Sequence, residues 1–201
     1  TGVELDQRMI PLLLQEFPQL EGHVYNEDIL EFDLNRSGKE EWSIIGNFPY
    51  NISSQILFKV LEHKERIIFL VGMFQKEVAR RVAASSGNKE YGILSVLIQA
   101  YYSVEYLFDV DAHCFTPPPK VTSGVIRLIR KSEVPLIHDA GHFKILVKSG
   151  FGQRRKTLRN SLHQHIMHLA FTGDPVFNKR AEQLSVEEWI ALSNRIVRNA
   201  S

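Results

Sequence analysis

Cysteine is almost absent: Cys114 is the single one among 201 residues. That excludes an internal disulfide framework, leaves too few thiolates for a zinc cluster, and fits a reducing compartment. No apolar run approaches the ~20 residues that a membrane-spanning helix needs. The longest, residues 67–73 with its glycine, is strand-sized. Repeats, low-complexity tracts and a signal peptide are lacking. So is an initiator methionine, and because the chain opens inside what reads as a structural element, a start further upstream is expected. What is present is ordinary for a folded protein. At ~100–200 residues per domain, the length allows one large domain or one domain with a small appendage. Hydrophobic residues make up 44% and charged residues 23%, which excludes disordered and fibrous classes.

The net charge of +1 hides an asymmetry. Residues 139–201 hold ten Lys and Arg against five acids, and residues 1–138 hold 14 against 18. A basic tail on an acidic body suggests a polyanionic partner met from one end. Charge scattered over a solvated surface is the plainer alternative.

Short apolar runs alternate with helical patterns over the first 131 residues. Strands are expected at residues 3–6, 23–25, 42–45 and 67–71, and helices at 9–17 and 53–61, the latter with Ser53 as N-cap. The continuous apolar run 67–71 suits a strand covered on both faces in a parallel sheet. This alternation predicts a doubly wound α/β fold. Helices at 75–84 and 93–100 and strands at 101–110 and 125–130 follow, with three prolines at 117–119 that exclude regular structure between those last two strands. A Glu-Val-Pro linker at 133–135 marks a boundary, placing domains at 1–137 and 138–201. The second is all helical, with helices expected at 140–149, 154–169, 177–183 and 185–198. Ser185 and Glu188 form a capping box for the last.

Ligands on open α/β sheets bind beyond the carboxyl ends of the strands. Glu4 ends the first strand, Asp28 the second, and Asn47-Phe48-Pro49-Tyr50 the third. Each acid alone also reads as a solvated strand end. The tetrapeptide is more specific. An adenine amino group is a poor nucleophile because its lone pair is delocalised into the ring. The Asn47 side-chain oxygen and a carbonyl beside Pro49 can accept both amine hydrogens and turn the lone pair toward a methyl donor, while the Tyr50 ring offers a stacking face. Acceptors fixed on a strand end act by orientation.

The segments Asn47-Phe-Pro-Tyr-Asn-Ile-Ser-Ser54, Phe115-Thr-Pro-Pro-Pro-Lys-Val-Thr-Ser123 and Gln153-Arg-Arg-Lys-Thr-Leu-Arg-Asn160 resemble, in order, those of the ribosomal RNA adenine dimethyltransferases of the KsgA type. The resemblance spans essentially the whole chain. It implies a Rossmann-like, class I S-adenosylmethionine-dependent methyltransferase with a small helical RNA-binding domain. The implied enzyme is cytoplasmic, needs no metal, and is a monomer when complete. It dimethylates two adjacent adenosines in a hairpin loop near the 3′ end of 16S ribosomal RNA, acts on the small ribosomal subunit and takes part in its biogenesis. By the same resemblance Glu4 with Leu5 would hold the donor's ribose, Asp28 with Ile29 its adenine, and Asn47 both donor and target amine. Phe48 and Pro49 would complete the catalytic motif, and Tyr50 and Phe115 would sandwich the flipped base. Phe48 stands where the family usually has Leu, and Thr122 where it often has Asp.

The resemblance also implies a glycine-rich donor loop ~20 residues before Glu4. With three residues ahead of Glu4, that segment is expected to be missing and the chain itself to bind the donor poorly and to be inactive or weakly active. In the tail, Leu158, Leu162, Ile166 and Leu169 form an apolar stripe on the expected helix 154–169. Arg155, Arg159 and His163 then share a neighbouring face able to grip phosphates. Lys120, Arg154, Arg155, Lys156 and Arg159 are the expected RNA contacts. His163, His165 and His168 lack an accompanying carboxylate or cysteine and are not expected to hold metal. Cys114 reads as a packed loop thiol. Two other functions remain open on the sequence: a non-catalytic RNA-binding or ribosome-assembly fragment, and a related methyltransferase of large-subunit ribosomal RNA.

Overall fold

The computed structural model describes residues 1–38 and 40–200. Its first elements are the short strand β1 (Gly2–Val3), helix α1 (Met9–Glu16) and strand β2 (Val24–Tyr25). β1 and β2 pair in parallel, Gly2 opposite Val24 and Val3 opposite Tyr25. A second sheet contains β3 (Trp42–Asn47), β4 (Ile67–Gln75), β5 (Tyr102–Val110) and β6 (Ser123–Arg130) in the order β3-β4-β6-β5. β3 runs parallel to β4, whereas β6 is antiparallel to both β4 and β5. The α/β class is as the alternation implied. The strands expected at 67–71 and 125–130 are longer than that, and their pairing makes the sheet mixed.

Three helices follow from apolar spacing and pack on one face of this sheet: α2 (Ser53–Glu62), α3 (Lys76–Ala83) and α4 (Ile93–Gln99). Their core includes Ile56, Leu57 and Val60 from α2, Leu70 and Phe74 from β4, and Ile126 and Leu128 from β6. The other face is less covered: Ile45 of β3 is 80% exposed and Ile129 of β6 44%. β4 is therefore buried mainly through alternate residues, Leu70, Gly72 and Phe74, and not along a continuous run.

The tail comprises α5 (Ala140–Gly152), α6 (Leu158–Ser161), α7 (His163–Ile166) and α8 (Val186–Ala200). Two single helical turns, Pro175–Asn178 and Ala181–Gln183, replace the helix expected at 177–183. The capping box forms as expected: Ser185 N donates to Glu188 Oε2 (2.9 Å) and Glu188 N to Ser185 Oγ (3.2 Å). Trp189 is fully buried, with Phe143, Leu146 and Val147 of α5 in the same cluster. That cluster also takes Val96 and Leu97 from α4 and Ala100 just after it.

The expected helix 154–169 is broken. Residues 153–157 form a turn, and Thr157 is extended (φ −70°, ψ 159°) and bridges to Arg180. Leu158 N donates to Lys179 O at 2.8 Å. This pairing with a distant segment outcompetes local helix propensity, which is a weak bias. The stripe survives the break, because Leu158, Leu162, Ile166 and Leu169 are all buried.

Two histidines meet between these helices. His142 of α5 reaches Ser193 of α8 (Nδ1 to Oγ, 3.2 Å), and its ring lies edge-on to that of His165, 6.3 Å between centroids. His165 Nε2 in turn lies 2.9 Å from Ser149 Oγ. Burial, then the neighbouring His165, lowers the His142 pKa below its ordinary 6.5, against an opposing pull from Asp139. The unfolded chain therefore takes up this proton more readily than the folded one. His142 contributes stability that is full above pH ~6.5 and is lost as pH falls through the lowered value. In thermal melts between pH 7.5 and 5.5, His142→Gln is expected to show a smaller fall in Tm than the unaltered chain. Equal falls would exclude His142 as a source of the pH dependence.

Candidate active site

The two strand-end acids follow β1 and β2, which are parallel neighbours. Glu4 N donates to Tyr25 O at 3.0 Å, extending the ladder past β1. The Glu4 carboxylate accepts from Asp6 N and that of Asp28 from Leu30 N, each at 2.8 Å. Each turn engages one carboxylate oxygen, so the second can accept from a ligand hydroxyl or amine. Asn26 ties the two strand ends together, donating through Nδ2 to Glu4 O and Leu5 O at 2.9 Å each. Lys59 of α2 donates to Leu30 O and Phe32 O at 2.8 Å, anchoring the chain just beyond Asp28. Burial lowers the Lys59 pKa. Sequence reasoning missed both residues; Asn26, directly after a strand, was the readable signal. Leu5 is 67% exposed, whereas Ile29 packs against the core.

Asn47 ends β3, opposite Met73 of β4. Strand alternation sends it and the next residue to opposite sides. Phe48 turns inward, is 7% exposed, and stacks on Phe74 with centroids 5.2 Å apart. The ring fits because Gly46 and Gly72 face each other beneath it: a Cβ on either would come within 2.7 Å of Phe48. Only the backbone of Phe48 is therefore available for chemistry; its side chain is the wedge that seats the motif. Asn47 is exposed at the sheet rim. Pro49 (φ −57°, ψ 135°) then turns the chain into a single helical turn, Tyr50–Ile52. Ser53 does not cap α2 as expected. It is the first helical residue, and its hydroxyl donates back to Tyr50 O at 3.0 Å.

The structure brings the first and second motifs together. The Tyr50 hydroxyl shares a hydrogen bond with that of Ser123, which is fully buried and opposite Gln75 at the end of β4. Lys76 N donates to Thr122 O at 3.0 Å, fastening the proline-rich loop to the start of α3. Phe115 follows the short turn Ala112–Cys114 at the head of that loop and is half-buried. Lys120 is exposed on the same loop. Cys114 is exposed as well, not packed as expected: the three prolines at 117–119 leave the loop no regular structure under which to bury it.

The third motif lies elsewhere in the molecule and differs from expectation. Arg155 and Lys156 are exposed on the turn, and Arg154 donates to Lys89 O. Arg159, on α6, donates to Thr172 O (2.7 Å) and to Asn178 Oδ1 (3.2 Å). It braces the tail's own loops, and Arg155 and Arg159 do not share one helix face. The basic feature here is a turn.

Residues 1–198 match the ribosomal RNA adenine dimethylase family. The small-subunit ribosomal RNA methyltransferase A of Cytophaga hutchinsonii is 53% identical over 194 residues, 96% of this chain and 75% of that protein. Its counterpart in Bacteroides thetaiotaomicron is 52% identical over 197 residues, 96% of this chain and 73% of its own length. Among solved structures, a dimethyladenosine transferase from Plasmodium falciparum shares the fold, with TM-score 0.81 at 23% identity over 98% of this chain and 82% of that one. A 23S ribosomal RNA methyltransferase, ErmE, aligns with TM-score 0.61 at 27% identity over 97% of this chain and 80% of its own.

Proposed function

Because this chain belongs to the ribosomal RNA adenine dimethylase family, we propose that it dimethylates adjacent adenosines in a hairpin loop near the 3′ end of 16S ribosomal RNA. The enzyme class is ribosomal RNA adenine dimethyltransferase, and the methyl donor is S-adenosylmethionine. The target in the small subunit, cytoplasmic location, monomeric state and division into domains at 1–137 and 138–201 form part of the same reading. The observation that carries it is the juxtaposition at the carboxyl end of β3: Asn47 exposed on the rim, Phe48 wedged beneath it, and Tyr50 tied to Ser123 at the base of the Phe115 loop.

The residues fit the donor. Paired strand-end carboxylates, each with one oxygen held by its own turn, suit a nucleoside: Glu4 for ribose hydroxyls, Asp28 for an exocyclic amine, with Leu5 and Ile29 flanking. S-adenosylmethionine, when bound, supplies a methyl carbon made electrophilic by its sulfonium. The remaining work is orientation. Asn47 Oδ1 accepts one hydrogen of the target amine and a backbone carbonyl at Phe48 or Pro49 the other, which localises the nitrogen lone pair out of the ring plane. The methylated nitrogen then loses a proton to solvent. The rings of Tyr50 and Phe115 hold the base once it leaves the stack. Arg154, Arg155, Lys156 and Lys120 contact phosphates, and Arg159 adds to them through the N–H groups that Thr172 and Asn178 leave unused.

The test is methyl transfer by the full-length gene product to naked small subunits, fully methylated small subunits and large subunits. The first should accept four methyls on two neighbouring adenosines and the others none. Label on large-subunit RNA, or on none of the three, would overturn the reading.

A further inference from the structure

Two surface cavities lie along α3, and they share the walls Glu77 and Glu90. The first, about 380 Å³, opens at the base of the proline-rich loop, where Val121 and Thr122 face Lys76 and Arg80. The second, about 660 Å³, is lined by Lys89, Arg154 and Glu182 together with Arg81 of α3. Neither belongs to the strand-end acids or to Asn47. Their shared walls make one groove, with α3, about 12 Å long, as its floor. It leads from the loop that carries Phe115 to the Arg154–Lys156 turn.

Its charge is uneven in a way that matters. The lining holds five basic residues, Lys76, Arg80, Arg81, Lys89 and Arg154, against Glu77, Glu90 and Glu182. Two of the cations are already paired, Arg81 with Glu77 at 2.7 Å and Lys76 with Asp109 at 2.5 Å, which leaves Arg80, Lys89 and Arg154 against Glu90 and Glu182. Arg155 and Lys156 add two exposed cations beside the Arg154 end. The walls are also held in place from both halves of the chain: Arg154 donates to Lys89 O, and Gly87 N donates to Glu182 O at 2.7 Å. Arg80 sits where α3 meets β5, close to the Tyr106 hydroxyl, whose pKa burial and then Asp109 push up to about 12. A preformed, net basic trough that connects a base-handling loop to a cationic turn suits a single-stranded polyphosphate backbone, which needs spaced cations and room for bases.

We infer that the α3 groove carries the RNA strand between the target adenosine and the Arg154–Lys156 turn, with Arg80 and Lys89 as phosphate contacts. This deepens the ribosomal RNA reading above and rests on it.

The experiment measures binding of the full-length gene product to naked small subunits between 50 and 200 mM salt, as the slope of log affinity against log salt. Arg80→Gln with Lys89→Ala is expected to flatten the slope by about one to two units. Arg155→Ala with Lys156→Ala should flatten it by a similar amount, and the fourfold variant by roughly the sum. Glu90→Gln, which removes a negative wall without changing shape, should bind about two- to fivefold tighter at the low-salt end. An unchanged slope in the Arg80/Lys89 pair beside a flattened one in the Arg155/Lys156 pair would overturn the groove and leave the turn as an RNA contact. Unchanged slopes in both would remove the turn as well. Unaltered affinity in Glu90→Gln would also count against the groove, and that variant leaves every basic residue in place.

Discussion

Asn47→Ala is expected to lower the methyl-transfer rate by ~100-fold or more, with affinity for small subunits little changed. Asn47 lies at the exposed end of β3, so its loss should not unfold the protein. RNA affinity comes from phosphates contacted elsewhere, so it should not follow the rate. What is lost is one of two acceptors that fix the amine, and with it the direction of the lone pair. The rate constant should therefore fall while KM for RNA stays near its original value. Single-turnover methylation with saturating donor, beside a binding isotherm for the same variant, separates the two. A rate within threefold of the original would remove Asn47 from the chemistry.

Gly46→Ala should act on the same chemistry from beneath the sheet, and its effect should be reversible by a second substitution. A Cβ at Gly46 would come within 2.7 Å of the Phe48 ring and meets nothing else so closely. The ring has no free direction, because it stacks on Phe74 and lies over Gly72. Overpacking of this kind costs ~1–3 kcal/mol. The strain falls on the residue between Asn47 and Pro49, and displacement of a catalytic group by ~1 Å can cost ~100-fold in rate. Phe48→Leu removes the ring atoms that clash, so the double variant should recover most of the lost Tm and much of the rate. A thermal melt and a methylation assay on the two single variants and the double decide it. If the double variant is as impaired as Gly46→Ala alone, the wedge is not what seats Asn47.

The legible parts of this protein were those in which local chemistry and position coincide. A strand-end acid, an Asn-Phe-Pro-Tyr corner and a proline-rich loop each announce themselves over a few residues, and the structure places all three at the carboxyl ends of strands. The Ser185–Glu188 box was readable for the same reason. The illegible parts were decided across long sequence distances. Ser123 looked like the end of a loop; its role as partner of the Tyr50 hydroxyl depends on β6 entering beside β4. Arg159 had the spacing of a phosphate-binding helix residue. Pairing of Thr157 with Arg180 cut that helix and turned Arg159 toward Thr172 and Asn178. Asn26 was passed over because its value lies in bridging two strand ends, which requires knowing that β1 and β2 are neighbours.

The short helix α4 faces two ways. Leu94 and Ile98 belong to the core beneath the sheet, while Val96 and Leu97 belong to the core of the tail, and Tyr101 just beyond packs against both. Seven residues thus act as a common keel for two hydrophobic bodies. Neither body can open without exposing half of α4 to water, and burial of that apolar surface is the main term holding either closed. The molecule is consequently expected to melt as one cooperative unit, with a single transition in calorimetry. A defect introduced among the tail helices is felt at the rim of the sheet as a change in how often the whole structure opens.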